Sequence, residues 1–353
     1  MSKKELFIWL RSCYLYRLYR VIKNIKKSAV FLRQCYPSLS DDEFKKVLLK
    51  QRKSLIKYQI GHVEFFWLRC EDKSLDEIKD YFSYNESTSF CMSVNSSNAI
   101  RTLYNKYAAY KRFSKYYGRK VEYISSDDLL NGKAEKKLNS FVNGDTSSYI
   151  IKPLNLNSGV GIKILSSMQE IMEYLRSLKM GGIIEELIVQ DESLAAFNPS
   201  SVNTLRMNTV NYGNGDVEVI WPCLRVGRAG HIVDNAGSGG IFAAIDITTG
   251  KTLAAIDESR TTWTVHPDSN KALIGFTIPR WEEAVALAKE LAKTLPDAGF
   301  VGWDLALTKN GWVMVEGNAS PLIIYQIAVA KGLRPELCRI KEKFECQKRS
   351  PRV

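Results

Sequence analysis

The chain has 353 residues, 45% hydrophobic and 25% charged, enough for two or three domains around a buried core and too balanced for a disordered or fibrous protein. Its net charge of +12 is local, because residues 1–60 hold fifteen Lys and Arg against four acids and the rest of the chain is close to neutral. Seven scattered cysteines give neither a disulfide framework nor a thiolate zinc spacing, and no apolar run reaches the ~20 residues of a membrane span, so a cytoplasmic location is expected.

Residues 5–27 place Phe7, Leu10, Tyr14, Leu18, Val21 and Ile25 at helical steps, with Arg11, Arg17, Arg20, Lys23 and Lys27 on other faces. This predicts a basic amphipathic helix. It either lies on an anionic membrane surface, with residues 1–36 as the contact and the protein peripheral at the inner face of the plasma membrane, or packs its stripe on the core with a solvated basic face. No nucleic-acid module or aromatic stacking platform accompanies the charge, so specific nucleic-acid binding is not expected. Ser40 and Glu43 form a capping box before a helix over residues 44–58. Helices are also predicted over 74–84 and over 98–117, the latter with a break near Tyr110.

After residue 120 the pattern changes to short β-branched runs, giving strands at 121–124, 149–152, 162–165, 183–187, 204–212, 217–226, 241–247, 300–307 and 311–316. Hairpin turns fall at Gly213–Asp216 and Lys309–Gly311, and helices at 127–139, 168–178, 281–294 and 321–331. The fold class is α+β, with antiparallel sheets flanked by helices. There is no internal repeat. Three regions are delimited: a helical, basic region 1–95, a catalytic region 96–335 and a basic helix or tail 336–353.

Lys152-Pro153 closes a strand and precedes Asn157-Ser158-Gly159-Val160-Gly161, a pattern that suits phosphate, since Gly admits backbone N–H groups and Lys supplies charge. A plain hairpin is the other reading. Asp304 and Glu316 fall on neighbouring strands of a short hairpin, and Asn318 shares a face with Glu316 by the period of two. Two carboxylates and an amide suit magnesium bridging nucleotide phosphates, whereas acids paired with Lys or Arg at a sheet rim are the alternative. Arg206 is a clamp for phosphate or carboxylate, or a structural ion pair. Glu185-Glu186-Leu187-Ile188 and the glycine-rich Asp234–Gly240 complete the candidates. His62, His231 and His266 have no ligand or triad spacing.

This order of elements resembles the ATP-grasp ligases over roughly residues 100–330. The most specific part is Glu316-Gly317-Asn318 with Pro321, twelve residues after Asp304. Asn235 with Gly239-Gly240 is similar to the Asn-x-x-x-Gly-Gly lid of glutathione synthetase, and the whole stretch resembles the sugar-transfer associated ATP-grasp subgroup linked with bacterial polysaccharide biosynthesis. The resemblance implies two α+β subdomains clasping ATP between antiparallel sheets, behind a helical N-terminal region. It implies that Lys152 and Lys106 hold the nucleotide, and that Ser158, Gly159, Gly161, Asn235, Gly239 and Gly240 cover its phosphates. Glu185, Glu186, Leu187 and Ile188 would face adenine, with Glu192, or Asp191, on the ribose. Asp304, Glu316 and Asn318 would ligate one or two magnesium ions. D-alanine ligase-like members carry Arg where this chain has Gly302, so oxyanion stabilisation falls to Arg206 or Arg225. The activity implied is a carboxylate–amine ligase acting through an acyl phosphate on a uronic acid or similar acid. A sugar or hydroxyl kinase and a non-catalytic ATP-binding accessory of a glycosyltransferase complex are the alternatives.

Overall fold

The computed structural model describes residues 13–142, 148–154, 161–178, 180–228, 230–231, 234, 239–321 and 324–349. The first helix, α1, covers Tyr14–Cys35 and so runs past the expected end at Lys27. Tyr14, Leu18 and Ile25 of its expected core stripe are exposed. α2 (Asp41–Tyr58) starts at the predicted capping box, where the Glu43 carboxylate accepts from Ser40 N–H at 2.9 Å. With α3 (His62–Trp67) and α4 (Leu75–Ile78) these helices enclose a small core of Leu32, Phe44, Ile60, Phe65 and Ile78.

The helix expected over 74–84 is in fact one turn, α4, followed by a separate α5 (Tyr84–Val94). Two capping boxes explain the division: Ser74 with Glu77 opens the first, and Ser83 with Glu86 opens the second. The 98–117 helix breaks at Asn105 rather than near Tyr110, into α6 (Ser97–Tyr104) and α7 (Lys106–Phe113). Asn105 caps the second helix, its Oδ1 accepting from Ala108 N–H at 2.9 Å.

A four-stranded antiparallel sheet has the order β1-β4-β2-β3, formed by Val121–Ile124, Tyr149–Pro153, Lys163–Leu165 and Gly182–Glu186 numbered in chain order. The predicted 127–139 helix is split into α8 (Ser126–Leu130) and α9 (Lys133–Phe141), because Gly132 at φ 71° interrupts the helical backbone. With α10 (Met168–Ser177) these helices cover one face of the sheet through Leu138, Ile171 and Leu175.

The second sheet has six antiparallel strands in the order β10-β9-β5-β6-β7-β8. They are β5 (Thr204–Gly213), β6 (Asp216–Val226), β7 (Ile241–Ile245), β8 (Thr252–Ile256), β9 (Phe300–Thr308) and β10 (Gly311–Asn318), of which β8 was not expected. A single-turn α11 (Glu192–Ala195) precedes β5. Alternation along β5 and β9 sends Leu205, Met207, Trp303 and Leu305 to one face, where α12 (Trp281–Thr294) buries Ala284, Ala288 and Leu291 against them. Arg206 and Asp304 therefore point to the opposite face, toward the cleft.

The expected 321–331 helix is reduced to α13 (Tyr325–Ala328), and the basic C-terminal segment forms α14 (Arg334–Arg349). Among the described residues no helix is long and apolar enough to cross a membrane.

Candidate active site

Strand register assembles the centre of the site. Glu316 on β10 pairs with Asp304 on β9, Asp304 with Arg206 on β5, and Arg206 with Cys223 on β6, so these residues form one row across four strands. Two local irregularities set this row. A bulge between Met314 and Glu316 shifts β10 by one residue, and the Trp221-Pro222 insertion in β6, with Trp221 at φ 49°, opposes the single residue Met207. Asn208 Nδ2 donates to the Trp221 carbonyl at 2.9 Å and holds the second bulge.

Arg206 grips Asp304 as a fork, Nε to Oδ1 at 2.5 Å and Nη2 to Oδ2 at 3.0 Å. Arg225 Nη1 adds a bond to Oδ2 at 2.9 Å, and its other arm pairs with Asp234 at 3.0 Å. Burial works against the charge on Asp304, but the two guanidinium groups outweigh it and hold the carboxyl below its ordinary range. Glu316 is open to the cavity, yet the surrounding protein and then the Asp304 charge push its pKa up. Two adjacent carboxylates are thus driven apart in basicity, as groups sharing one site are. Asp234 is also raised, by its burial, and accepts a bond from the Thr204 hydroxyl.

The small sheet contributes a second charge cluster. Lys152 on β2 pairs with Glu185 on β4 at 2.9 Å, and Arg119, just before β1, reaches the same carboxylate at 2.7 Å. Arg119 Nη1 also donates to the carbonyls of Tyr117 and Met314, at 2.9 and 2.8 Å. Burial opposes the Glu185 charge, but Arg119 and Lys152 overcome it and keep the group ionised. The Glu185 carboxylate, expected to face adenine, is thus already held between two cations. The Glu186 N–H is likewise engaged, donating to the Lys120 carbonyl at 3.1 Å.

Between the sheets lies a cavity of about 460 Å³. Ile150, Ile164, Leu187, Ile188 and Val315 wall one part of it, whereas Lys106, Lys152, Arg225, Asp304 and Glu316 line another. A second cavity of about 290 Å³ shares Lys106, Lys152 and Glu316 and extends to Asn318, Ser320, Tyr84, Tyr104 and Tyr117. Burial lowers the Lys106 pKa. Glu192 is exposed and does not line either cavity, and Asp191 caps its own helix by accepting from Ser193 N–H at 3.0 Å. Gly161 and Gly239 take positive φ, at 72° and 79°, and Gly240 is buried at the entry to β7. Ser158, Gly159 and Asn235 lie outside the described residues.

The structure brings Asp304, Glu316 and Asn318 together, with both Asp304 oxygens held by Arg206 and one also by Arg225, the ion-paired arrangement that was the alternative reading for these acids and for Arg206. Asn318 Nδ2 stands 3.5 Å from Asp304 and 3.4 Å from Glu316, and a turn of its amide would present Oδ1 to the same point. Glu316 opens to the cavity, so its carboxylate and a turned Asn318 amide are the oxygen donors that could meet a hard divalent cation beside the Arg-held Asp304. Among the described residues there is no cluster of three or more His, Cys, Asp or Glu side chains placed to hold a metal. Sequence reasoning missed Arg119. A cation between Gly118 and the β1 strand carries no spacing signal, and only the register that sets β1 beside β4 brings it to Glu185.

The profile of the sugar-transfer associated ATP-grasp family matches residues 85–342 of the chain. No curated protein matches it. Among solved structures the chain is similar to the VanG D-Ala:D-Ser ligase from Enterococcus faecalis, at 15% identity over 73% of this chain and 68% of that one, with a TM-score of 0.47. It is similar to the D-alanine–D-alanine ligase from Coxiella burnetii at 12% identity over 75% and 67% of the two chains, TM-score 0.44. A third is the N5-carboxyaminoimidazole synthase from Aspergillus clavatus, in complex with ADP and its ribonucleotide, at 12% identity over 64% and 46%, TM-score 0.38.

Proposed function

The chain belongs to the sugar-transfer associated ATP-grasp family, and from that premise we propose that it is an ATP-dependent carboxylate–amine ligase that activates an acid as an acyl phosphate. The observation that carries this reading is the inter-sheet cavity of about 460 Å³, whose wall combines the apolar Ile150, Ile164, Leu187, Ile188 and Val315 with Lys152, Asp304 and Glu316. A purine base suits the apolar residues and a triphosphate the charged ones.

Leu187, Ile188 and Val315 would enclose the base, and Lys152 and Lys106 would meet the phosphates. Lys152 is aimed by its bond to Glu185, which Arg119 holds from the other side, so the ammonium is placed before any ligand arrives. Glu316, Asn318 and Asp304 would hold magnesium, which when bound supplies charge neutralisation at the phosphoryl oxygens. Arg206 lies beside this donor set and would stabilise charge on the transferred phosphoryl group and the acceptor carboxylate. The γ-phosphoryl passes to the acid with loss of ADP, and an amine then displaces phosphate to form the amide. No protein nucleophile is needed.

The association with sugar transfer supports a uronic acid, or a similar acid on a nucleotide- or lipid-linked glycan, as the acceptor in bacterial surface polysaccharide synthesis. ATP consumption with magnesium against a panel of uronic acids and amino acids, with hydroxylamine present, tests the reading. ADP and a hydroxamate are expected. AMP would mean activation as an acyl adenylate, and ADP with a stable phosphoester and no hydroxamate would mean a kinase; either result would overturn the acyl-phosphate mechanism. Nucleotide unchanged with every acid would favour the non-catalytic accessory.

A further inference from the structure

Helix α1 has two sides of opposite use. The inner side is fastened to the N-terminal helices: Leu32 is fully buried, Ser28 Oγ lies 3.2 Å from His62 Nδ1, and Arg17 Nη1 donates to the Ile56 carbonyl at 3.3 Å. At 100° per residue the opposite side carries Leu15, Tyr19, Ile22 and Val30, which are 71%, 52%, 64% and 60% exposed. A helix packed on a core ordinarily buries its apolar side and exposes its polar one. Here four large apolar side chains project outward together.

Charge decides what such a face suits. Tyr14–Cys35 contains six cations, Arg17, Arg20, Lys23, Lys26, Lys27 and Arg33, and no acid. Arg33 is neutralised by Asp41 at 2.6 Å, while Lys23, Lys26 and Lys27 are exposed around the outward stripe. A second copy of the chain would bring the same cations against these, so self-association through this face is opposed electrostatically. A surface that accepts apolar side chains and supplies negative charge satisfies both features at once.

We propose that the outward face of α1 docks on an anionic lipid surface, with Leu15, Tyr19, Ile22 and Val30 entering the interface and Lys23, Lys26 and Lys27 meeting the headgroups. The proposal is independent of the ligase reading.

Co-flotation of the full chain with vesicles tests it, using equimolar phosphatidylcholine and phosphatidylglycerol in one set and phosphatidylcholine alone in the other. The protein is expected to float with the anionic set only. The double variant Leu15→Ser with Ile22→Ser, which alters exposed positions and leaves the inner side and every cation in place, should lower the bound fraction at least tenfold. Lys23→Glu with Lys26→Glu should do the same, and circular dichroism is expected to show the same helix content in all three proteins. Absence of flotation, equal flotation on neutral vesicles, or flotation unchanged by Leu15→Ser with Ile22→Ser would overturn the proposal. So would light scattering that reveals a dimer abolished by that variant without lipid binding, since the occupant would then be a second copy.

Discussion

A side chain at Gly302 would place its Cβ 2.7 Å from Pro321 Cβ and 3.0 Å from Arg206 Cδ. Position 302 has no room for a side chain, because Pro321 and the stem of Arg206 from the neighbouring strand lie over it. Gly302→Ala should accordingly cost about 1–3 kcal/mol, as overpacked sites do, read as a lower urea midpoint. The same variant is expected to lower kcat more than it raises KM for ATP, because it displaces Arg206 and leaves the apolar lining of the cleft intact. Arg119 is packed as tightly: its side chain is 4% exposed, its Nε donates to Glu185 and its Nη1 to two carbonyls. Arg119→Ala leaves Glu185 buried with Lys152 alone, and breaking such a buried network costs about 3–5 kcal/mol. Arg119→Lys should recover only part of that loss in urea unfolding, since a single ammonium cannot reproduce the fork.

Elements were most legible where a strand ended in chemistry. The β9–β10 hairpin, the Lys152 strand and the capping box at Ser40 follow from turn residues and period alone, whereas Glu316 comes opposite Asp304 only through the bulge between Met314 and Glu316, which neither signals. What stayed hidden depends on neighbours distant in sequence. β8 was missed because Thr252-Leu253-Ala254-Ala255-Ile256 has small residues where β-branched ones would signal a strand, and pairing with β7 makes it one. The Trp221-Pro222 bulge was hidden for the same reason, although it decides that Arg206 and Arg225 share a face. α5 was obscured by its polar Asn85-Glu86-Ser87-Thr88-Ser89 run, a poor helix former that only the Ser83 cap and the contacts of Phe90 and Cys91 with the large sheet make helical.

The segment between β8 and α12 has its own fastening. His266 is fully buried, its Nε2 lies 3.0 Å from the Gly227 carbonyl and its Nδ1 lies 3.2 Å from the Ser269 hydroxyl. These partners are satisfied by the neutral ring with the proton on Nε2, and burial lowers the pKa below the usual histidine value. Protonation then favours the unfolded chain, so this contribution is complete above about pH 6.5 and is lost as pH falls toward the lowered folded value. The melting temperature of the wild type should fall more steeply over that window than that of His266→Gln. Parallel slopes would show that the histidine titrates alike in both states.

At the scale of the molecule, the helical N-terminal layer is fixed to the large sheet beside the site. Asn95 accepts from Phe300 N–H at 2.8 Å and donates to the carbonyls of Phe300 and Ala319, at 2.8 and 2.9 Å. One buried amide thus joins the α5–α6 connection to the start of β9 and to the residue after Asn318. Tyr84 and Tyr104 from those helices line the smaller cavity next to Glu316. The helices before β1 therefore supply walls of the cleft, and the acceptor is expected to be read there rather than by the six-stranded sheet.

The cleft between the two sheets is proposed to hold ATP through Lys152 on one side and Asp304, Glu316 and Asn318 on the other. Calorimetric titration of ATP, with and without magnesium, into the wild type, Lys152→Ala and Glu316→Gln tests it most directly. Binding that magnesium strengthens is expected in the wild type, with a loss of at least tenfold in Lys152→Ala and a magnesium effect largely abolished in Glu316→Gln. Equal affinity in all three proteins, with or without magnesium, would contradict it.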